Sequence, residues 1–478
     1  MYDVLIIGCG ITGAAAAFEL SRYKLKAAVL ERENDVAVGT TKANSAILHA
    51  GYDPEPGSLM ARLNVRGVEL ARELCEKLDV PYLGCGSFVL AFSEEERPIL
   101  EELYRRGTAN GVPGLALLDR EEARALEPSL SAGVTAALYA PSAAICSPWE
   151  YCLALAETAI QNGGSLHLNT EVTGLAKTET GWRVATNRGE LEAKFILNAA
   201  GVEAQTVHEL AAPKTFTILP RRGQYFLLDK SEGGRVSHVV FQCPSKAGKG
   251  VLVAPTVHGN LIVGPSSEPV EGDNTAVTAE GLTGVRSAAS KSVPGIQFNQ
   301  SIRNFAGVRA ASDRDDFILE EAAPGFIDLA GICSPGLSAA PAIAEYAVEL
   351  LSRAGLALEK KSRFLCERRR VRFKELSEAE RAALVEREPA YGRVICRCET
   401  VTEGEILACF HTPIPPVSVD GVKRRVNAGM GRCQGGFCGP RVVELLCREL
   451  DRVPGEIVQD RAGSKLLDRE TKGGTGRV

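Results

Sequence analysis

A basic excess and a long uninterrupted apolar run are both missing from this 478-residue chain. Lys and Arg number 55 against 60 Asp and Glu, a net charge of −5, which argues against a nucleic-acid surface. A membrane-spanning helix needs about 20 consecutive apolar residues. The stretch that comes nearest, LAGICSPGLSAAPAIAEYAVELL over 329–351, is interrupted by Pro335, Pro341, Glu345 and Glu349, so no direct span is expected. The opening MYDVLIIGCG carries neither a charged n-region nor a small-residue cleavage site; no secretory leader is expected and the chain reads as cytoplasmic. In that compartment the 14 cysteines are reduced thiols rather than a disulfide framework.

What is present begins with size. The chain exceeds the roughly 250–300 residues at which one core stops growing, so two or three domains are expected. YDVLII reads as a buried parallel strand, GCGITG as a tight turn, AAAAFELSRY as a small-residue helix and KAAVLE as a second strand. Gly8, Gly10 and Gly13 thus form G-x-G-x-x-G between a strand and a helix, where a dinucleotide pyrophosphate can approach the backbone. Glu31 ends the second strand, 18 residues past Gly13, placed to accept from an adenosine ribose. A carboxylate there disfavours NADP, whereas the motif alone does not separate FAD from NAD.

Residues 165–201 read as several short strands. A polar helical region over about 94–128 and a β-rich region over about 216–265 are assigned to a second domain that covers the substrate. From 362 to 388 the composition turns strongly charged, predicting an exposed, solvated linker with a short helix starting near Ser377. A compact Cys- and Gly-rich module follows, and the tail SKLLDRETKGGTGRV is expected to be disordered.

Within the module, Cys396 and Cys398 precede Cys433 and Cys438 in a C-x-C…C-x4-C pattern. Four thiolates hold either zinc or an iron–sulfur centre, and the one-residue gap tilts toward iron. Glycines around the second pair would let backbone N–H groups point at cluster sulfurs, and Pro440 can start a helix behind them. Cys409 and Cys447 lie outside the pattern.

Four segments carry a family resemblance: TTKANSAILHAGYDPEPGSLMARLNVRG (40–67), ILNAAG (196–201), PRRGQYFLL (220–228) and GICSPGLSAAPAI (331–343). They are similar to FAD-dependent L-2-hydroxyglutarate oxidases and to the catalytic subunit of anaerobic glycerol-3-phosphate dehydrogenase, over residues 1–355. CRCE and GMGRCQGGFC resemble the [2Fe-2S] module of the bacterioferritin-associated-ferredoxin type. The resemblance implies an α/β glutathione-reductase-like Rossmann FAD domain (1–85, 145–212 and 300–356) with a D-amino-acid-oxidase-type α+β substrate domain (86–144 and 213–299). A charged linker (357–389), a small helical [2Fe-2S] domain (390–455) and a tail (456–478) complete it.

The implied FAD contacts are Gly8, Gly10, Ile11, Thr12, Gly13, Glu31, Arg32, Thr40, Thr41, Asn44, Ser45, Val172, Ala200 and Gly201. Gly336, Leu337 and Ser338 join them at the start of a helix whose N-terminus could face the flavin pyrimidine edge. Oxidising a C–H next to a hydroxyl or amine needs a base and an anchor for the substrate's anionic end. Only six histidines are available. His49 in ILHAG is the leading base, because imidazole titrates near neutrality and the matching family segment lies beside the flavin. Arg309 in AGVRAASDRDDF is the implied anchor for a phosphate or carboxylate, although relatives carry Pro where this chain has Ala310. Arg221 and Arg222 are secondary candidates.

Flavin takes two electrons as hydride and a cluster takes one at a time, so a tethered [2Fe-2S] centre suits a dehydrogenase that passes electrons to a partner subunit. The leading function is oxidation of sn-glycerol 3-phosphate to dihydroxyacetone phosphate. An L-2-hydroxy-acid dehydrogenase is the alternative, an amino-acid or opine dehydrogenase the third. A non-catalytic electron-transfer subunit is the reading from a different class, and membrane association would be peripheral, through a partner.

Overall fold

The computed structural model describes residues 1–244 and 250–468. Its first sheet is built around strand Tyr2–Ile7, which lies parallel between Ala27–Leu30 and Gly189–Asn198. Ser165–His167 extends the parallel run beyond Ala27–Leu30, and Phe326–Ala330 extends it beyond the second half of Gly189–Asn198. Antiparallel strands finish the sheet: Gly181–Thr186 with Val172–Thr178, and Ile318–Ala323 against Phe326–Ala330. Both faces are covered, so the central strands read as continuous apolar runs. Val4 and Ile6 face one core and Leu5 and Ile7 the other.

The first of these cores is filled by helices Ile11–Leu20, Pro148–Gln161 and Gly336–Arg353. Ala14, Ala15, Ala16 and Ala17 lie buried in it, which lets the helices approach closely. Helix Leu59–Lys77 crosses Gly336–Arg353 at Gly67, where any Cβ would collide with the Ser338 carbonyl.

Among the described residues the second sheet has nine strands, and it defines the second domain. Its spine, Ile218–Leu228, pairs antiparallel with Ser301–Ser312 from Ile218↔Ser312 to Leu228↔Ser301. This corrects the assignment of all of 300–356 to the first domain. Ladder hydrogen bonds along the whole of Ser301–Ser312 commit it to the second sheet, and the chain rejoins the first sheet only at Ile318.

The first part of the charged segment packs against the body of the protein, whereas most of 377–388 is exposed. Between 364 and 372 burial alternates residue by residue, with Phe364, Cys366, Arg368, Arg370 and Arg372 turned inward, as period 2 demands of an extended chain. Phe364 and Cys366 pack on the first core. Arg368 pairs with Glu157 at 2.8 Å, Arg370 with Glu150, and Arg372 with Asp79 at 2.6 Å. The sequence shows the charges but not the carboxylates that await them, of which Glu150 and Glu157 are buried. The helix of this region, Glu378–Arg387, starts from a Ser377 and Glu380 capping box.

The C-terminal module gathers Cys396, Val401, Ile406, Val422, Val442, Leu446 and Ile457 into its own core, with helices Val419–Val426 and Gly439–Leu450. The chain just ahead of SKLLDRETKGGTGRV is anchored to the rest of the protein. Ile457 is buried, Val458 bridges to Ser418 and Lys465, and Asp460 pairs with Lys42 and Arg424. Residues 469–478 of SKLLDRETKGGTGRV lie outside the described residues. Among the described residues no helix is long and apolar enough to cross a membrane.

Candidate active site and redox module

A cavity of about 780 Å³ runs from the glycine turn, between the two sheets, to the C-terminal module. At its first end Gly8 has φ +97°, and a Cβ there would sit 2.6 Å from the Ala199 carbonyl oxygen, so only glycine fits without strain. Gly13 packs against the Gly8 carbonyl, where a Cβ would collide, and does not border the cavity. Helix Ile11–Leu20 starts at Gly10 without a side-chain cap. Ile11 N–H donates to Thr41 Oγ1 at 3.0 Å, and the rest of the first turn offers its N–H groups and positive dipole to an anion. The turn therefore fits a dinucleotide pyrophosphate.

Glu31 borders this end. Its Oε2 accepts from Cys9 N–H at 2.7 Å and Oε1 from Glu33 N–H at 2.9 Å, and burial raises its pKa. Ile11, Thr12, Arg32, Thr40, Thr41, Val172, Ala200 and Gly201 border the same cavity, with Gly10, Asn44, Ser45, Gly336 and Leu337. Asn44 chiefly builds the turn: its amide donates to the Thr41 carbonyl at 2.8 Å, and its Oδ1 accepts from Ala46 N–H at 2.8 Å. Ser45 Oγ lies 3.2 Å from the Tyr225 hydroxyl. Ser338 does not border the cavity. It is fully buried, and its Oγ accepts from His49 N–H at 2.7 Å, because the side chain points back across the helix start.

Further along, His49 stacks on Phe241 with ring centroids 5.6 Å apart, and its Nε2 lies 3.3 Å from Ser334 Oγ. Helix Gly336–Arg353 begins beside it without a side-chain cap, so its dipole faces the cavity. Arg309 also lines the wall and donates from Nη2 to the Ser266 carbonyl at 3.2 Å. Gly223 makes room for that guanidinium, since a Cβ there would lie 2.6 Å from Nη2. Arg221 and Arg222 are not part of the cavity. Arg221 bonds Ser267, and Arg222 is buried against Glu268 at 3.2 Å.

The four cysteines come together as two pairs. Cys398 Sγ lies 3.8 Å from Cys433 Sγ, and Cys438 hydrogen-bonds Cys396. Two sulfurs about 2.3 Å from one tetrahedral metal stand about 3.7 Å apart, so one pair suits one metal. Among the described residues no three His, Cys, Asp or Glu side chains converge as a single ion would require. Two neighbouring cysteine pairs can each take one iron of a binuclear cluster. The Cys438 hydrogen bond, with backbone bonds at Gly429 and Glu399, draws the Cys396 thiol down to about 6. Backbone groups of Phe437 and Gly435 bond the Cys433 sulfur, and a Cβ at Gly431 would collide with that of Cys398. Burial pushes the Cys409 thiol up to about 11, against the opposing charges of Arg425 and Arg370.

Three features escaped the sequence reading. His258 borders the cavity, stacked on Trp149, with Nε2 3.4 Å from Glu150 Oε1; burial lowers its pKa. The module supplies Lys423, Arg424, Met430 and Gln434 to the cavity wall. It is held there by Asp35 of the first domain, 1% exposed, which bonds Arg424 at 2.9 Å and Arg425 at 2.8 and 2.9 Å. The paired arginines at 424 and 425 were the available signal, but their partner lies nearly 400 residues earlier in the chain.

Comparison with known proteins fits this arrangement. The FAD dependent oxidoreductase family model matches residues 3–350, and the BFD-like [2Fe-2S] binding domain matches 394–448. The chain is 49% identical over 477 residues to a glycerol 3-phosphate dehydrogenase of Caloramator mitchellensis, covering 99% of each. To an L-2-hydroxyglutarate dehydrogenase of Escherichia coli it is 33% identical over 56% of this chain and 64% of that one. Among solved structures, dithionite-reduced L-alpha-glycerophosphate oxidase from Mycoplasma pneumoniae with FAD bound superposes with a TM-score of 0.72. That match has 34% identity and covers 77% of this chain and 98% of the other.

Proposed function

Because the chain belongs to the FAD-dependent oxidoreductase family and ends in a BFD-like [2Fe-2S] binding domain, we propose that it oxidises sn-glycerol 3-phosphate to dihydroxyacetone phosphate. Electrons then leave through the module to a partner protein. The observation that carries the reading is one cavity bordered by the glycine turn, His49, Arg309 and the Cys433 loop residues Met430 and Gln434. FAD in this cavity would supply a hydride acceptor for the substrate's C2 hydrogen, and Cys396, Cys398, Cys433 and Cys438 would hold the [2Fe-2S] centre, which would supply one-electron transfer.

The residues divide the remaining work. His49 takes the C2 hydroxyl proton as the C2–H bond breaks and the carbonyl forms. Its backbone is pinned by Ser338 and its ring is oriented by Phe241 and Ser334, which limits the rotamers from which it can act. Arg309 presents its guanidinium fork to the phosphate, with one nitrogen tethered to Ser266. Glu31 holds the adenosine end. The partner is a one-electron carrier protein; the enzyme is placed in the cytoplasm, reaching a membrane only through that partner.

Anaerobic bleaching of the flavin by glycerol 3-phosphate, L-2-hydroxyglutarate and several amino acids tests the proposal. Glycerol 3-phosphate should bleach fastest and bring up the signal of the reduced cluster. Faster bleaching by L-2-hydroxyglutarate, or a bleached flavin beside a permanently oxidised cluster, overturns it.

A further inference from the structure

Most charges on the module-facing wall of the cavity are cancelled. Lys42 pairs with Asp460, Arg424 with Asp35 and Asp460, and Arg461 with Asp273 at 3.2 Å. Two cations on that wall are less completely paired. The Lys423 side chain is 13% exposed, and its nearest carboxylate, Asp420, is 3.9 Å away and already accepts from Gln459 at 2.8 Å. Arg303, from the second domain, gives one guanidinium nitrogen to the neutral Gln434 amide at 3.5 Å and has no carboxylate within 4.0 Å among the described residues.

The two charges act on each other. Burial, and then the Arg303 charge, pull the Lys423 ammonium down to about 8, against the opposing attraction of Asp420 and Asp460. Docking of the module therefore brings like charges from two domains to one wall, an arrangement that an anion between them would stabilise.

We propose that Lys423 and Arg303 form a phosphate-oxygen subsite, so that the C-terminal module helps bind a ligand of the cavity as well as receiving its electrons. An ammonium and a guanidinium from two domains suit phosphate oxygens, the first as a point charge and the second as a fork. The cavity offers two sources of that chemistry: the pyrophosphate of FAD, and the phosphate of the substrate. The substrate arm of the test rests on the function proposed above, whereas the cofactor and inorganic-phosphate arms do not.

The test uses the full-length protein and the variants Lys423→Gln, Lys423→Arg and Arg303→Gln. Three quantities are read: FAD affinity of the apoprotein by flavin fluorescence, perturbation of the holoenzyme flavin spectrum by inorganic phosphate, and the glycerol 3-phosphate dependence of anaerobic bleaching. Loss of a charge-assisted contact should weaken binding about tenfold in each Gln variant, with Lys423→Arg restoring most of it. A loss confined to FAD identifies the pyrophosphate. A loss shared by inorganic phosphate and glycerol 3-phosphate identifies the substrate end.

All three affinities within about twofold of wild type in both Gln variants, against the expected charge-assisted effect, overturn the proposal. So does an equal loss in Lys423→Arg, which would make the residue a packing element. Arg303→Gln, at an exposed strand position of the other domain, keeps the proposal open to refutation should Lys423→Gln fail to fold. If glycerol 3-phosphate leaves the wild-type flavin oxidised, the function reading fails while FAD and inorganic phosphate still decide the subsite.

Discussion

Replacing Asp35 by alanine should loosen the C-terminal module from the body of the protein. The carboxylate is 1% exposed, and its partners Arg425 and Arg424 are 2% and 4% exposed. It accepts three hydrogen bonds from them, at 2.8, 2.9 and 2.9 Å. After removal Arg424 keeps Asp460, but Arg425 keeps only the carbonyls of Ile414 and Gly421. Breaking one side of a buried ion pair leaves a desolvated charge, at a cost of about 3–5 kcal/mol.

Acid supplies an independent check. The Asp35 carboxyl is buried, which opposes ionisation, but Arg425 and Arg424 outweigh that and hold it down from 3.8 to about 2. A depressed acid stabilises the fold above the unfolded pKa and loses that contribution as pH falls through the folded one. The window is therefore about pH 4 to 2, and the gap corresponds to about 2 kcal/mol. This is smaller than the alanine effect because a protonated carboxyl still offers an acceptor. Urea unfolding followed by cluster absorbance and by flavin fluorescence checks both. A loss under about 1 kcal/mol in Asp35→Ala, where about 3–5 is expected, would refute the reasoning.

His49→Gln should slow flavin bleaching about 10²- to 10⁴-fold in stopped flow while FAD content stays at the wild-type level; an unchanged rate removes His49 from the chemistry. Gly8→Ala forces a side chain onto φ +97° and to 2.6 Å from the Ala199 carbonyl, so FAD content after purification should fall and stability drop by about 1 kcal/mol or more. Cys398→Ser with Cys433→Ser should abolish the cluster's electron paramagnetic resonance signal after reduction. Bleaching of the flavin by substrate should remain, and its loss would tie the cluster to the first chemical step.

The first 31 residues were legible because their pattern is local. A strand, a turn that only glycine can make, and an alanine-rich helix follow within one βαβ unit, and the phosphate site is a property of that turn. The four cysteines were legible for a similar reason: thiolate spacing announces a metal or cluster whatever the surrounding fold. Where partners are distant the reading was incomplete. The 362–388 segment looked like a solvated run, yet Arg368, Arg370 and Arg372 meet Glu157, Glu150 and Asp79 from earlier parts of the chain. Residues 300–356 were all assigned to the FAD-binding domain, whereas Ser301–Ser312 pairs with Ile218–Leu228 of the second sheet, because strand partners are chosen by hydrogen-bond register rather than by proximity in the chain.

By itself the sequence determined a dinucleotide turn, a four-thiolate module and a histidine and an arginine in segments that resemble flavoenzyme landmarks. Only the tertiary structure decided that the module closes one side of the flavin cavity and brings Lys423 to it. The physical reason is that this closure depends on buried charge pairing between Asp35 and Arg424 and Arg425. Burying one half without the other would strand a desolvated charge, and no local pattern in either segment specifies that meeting.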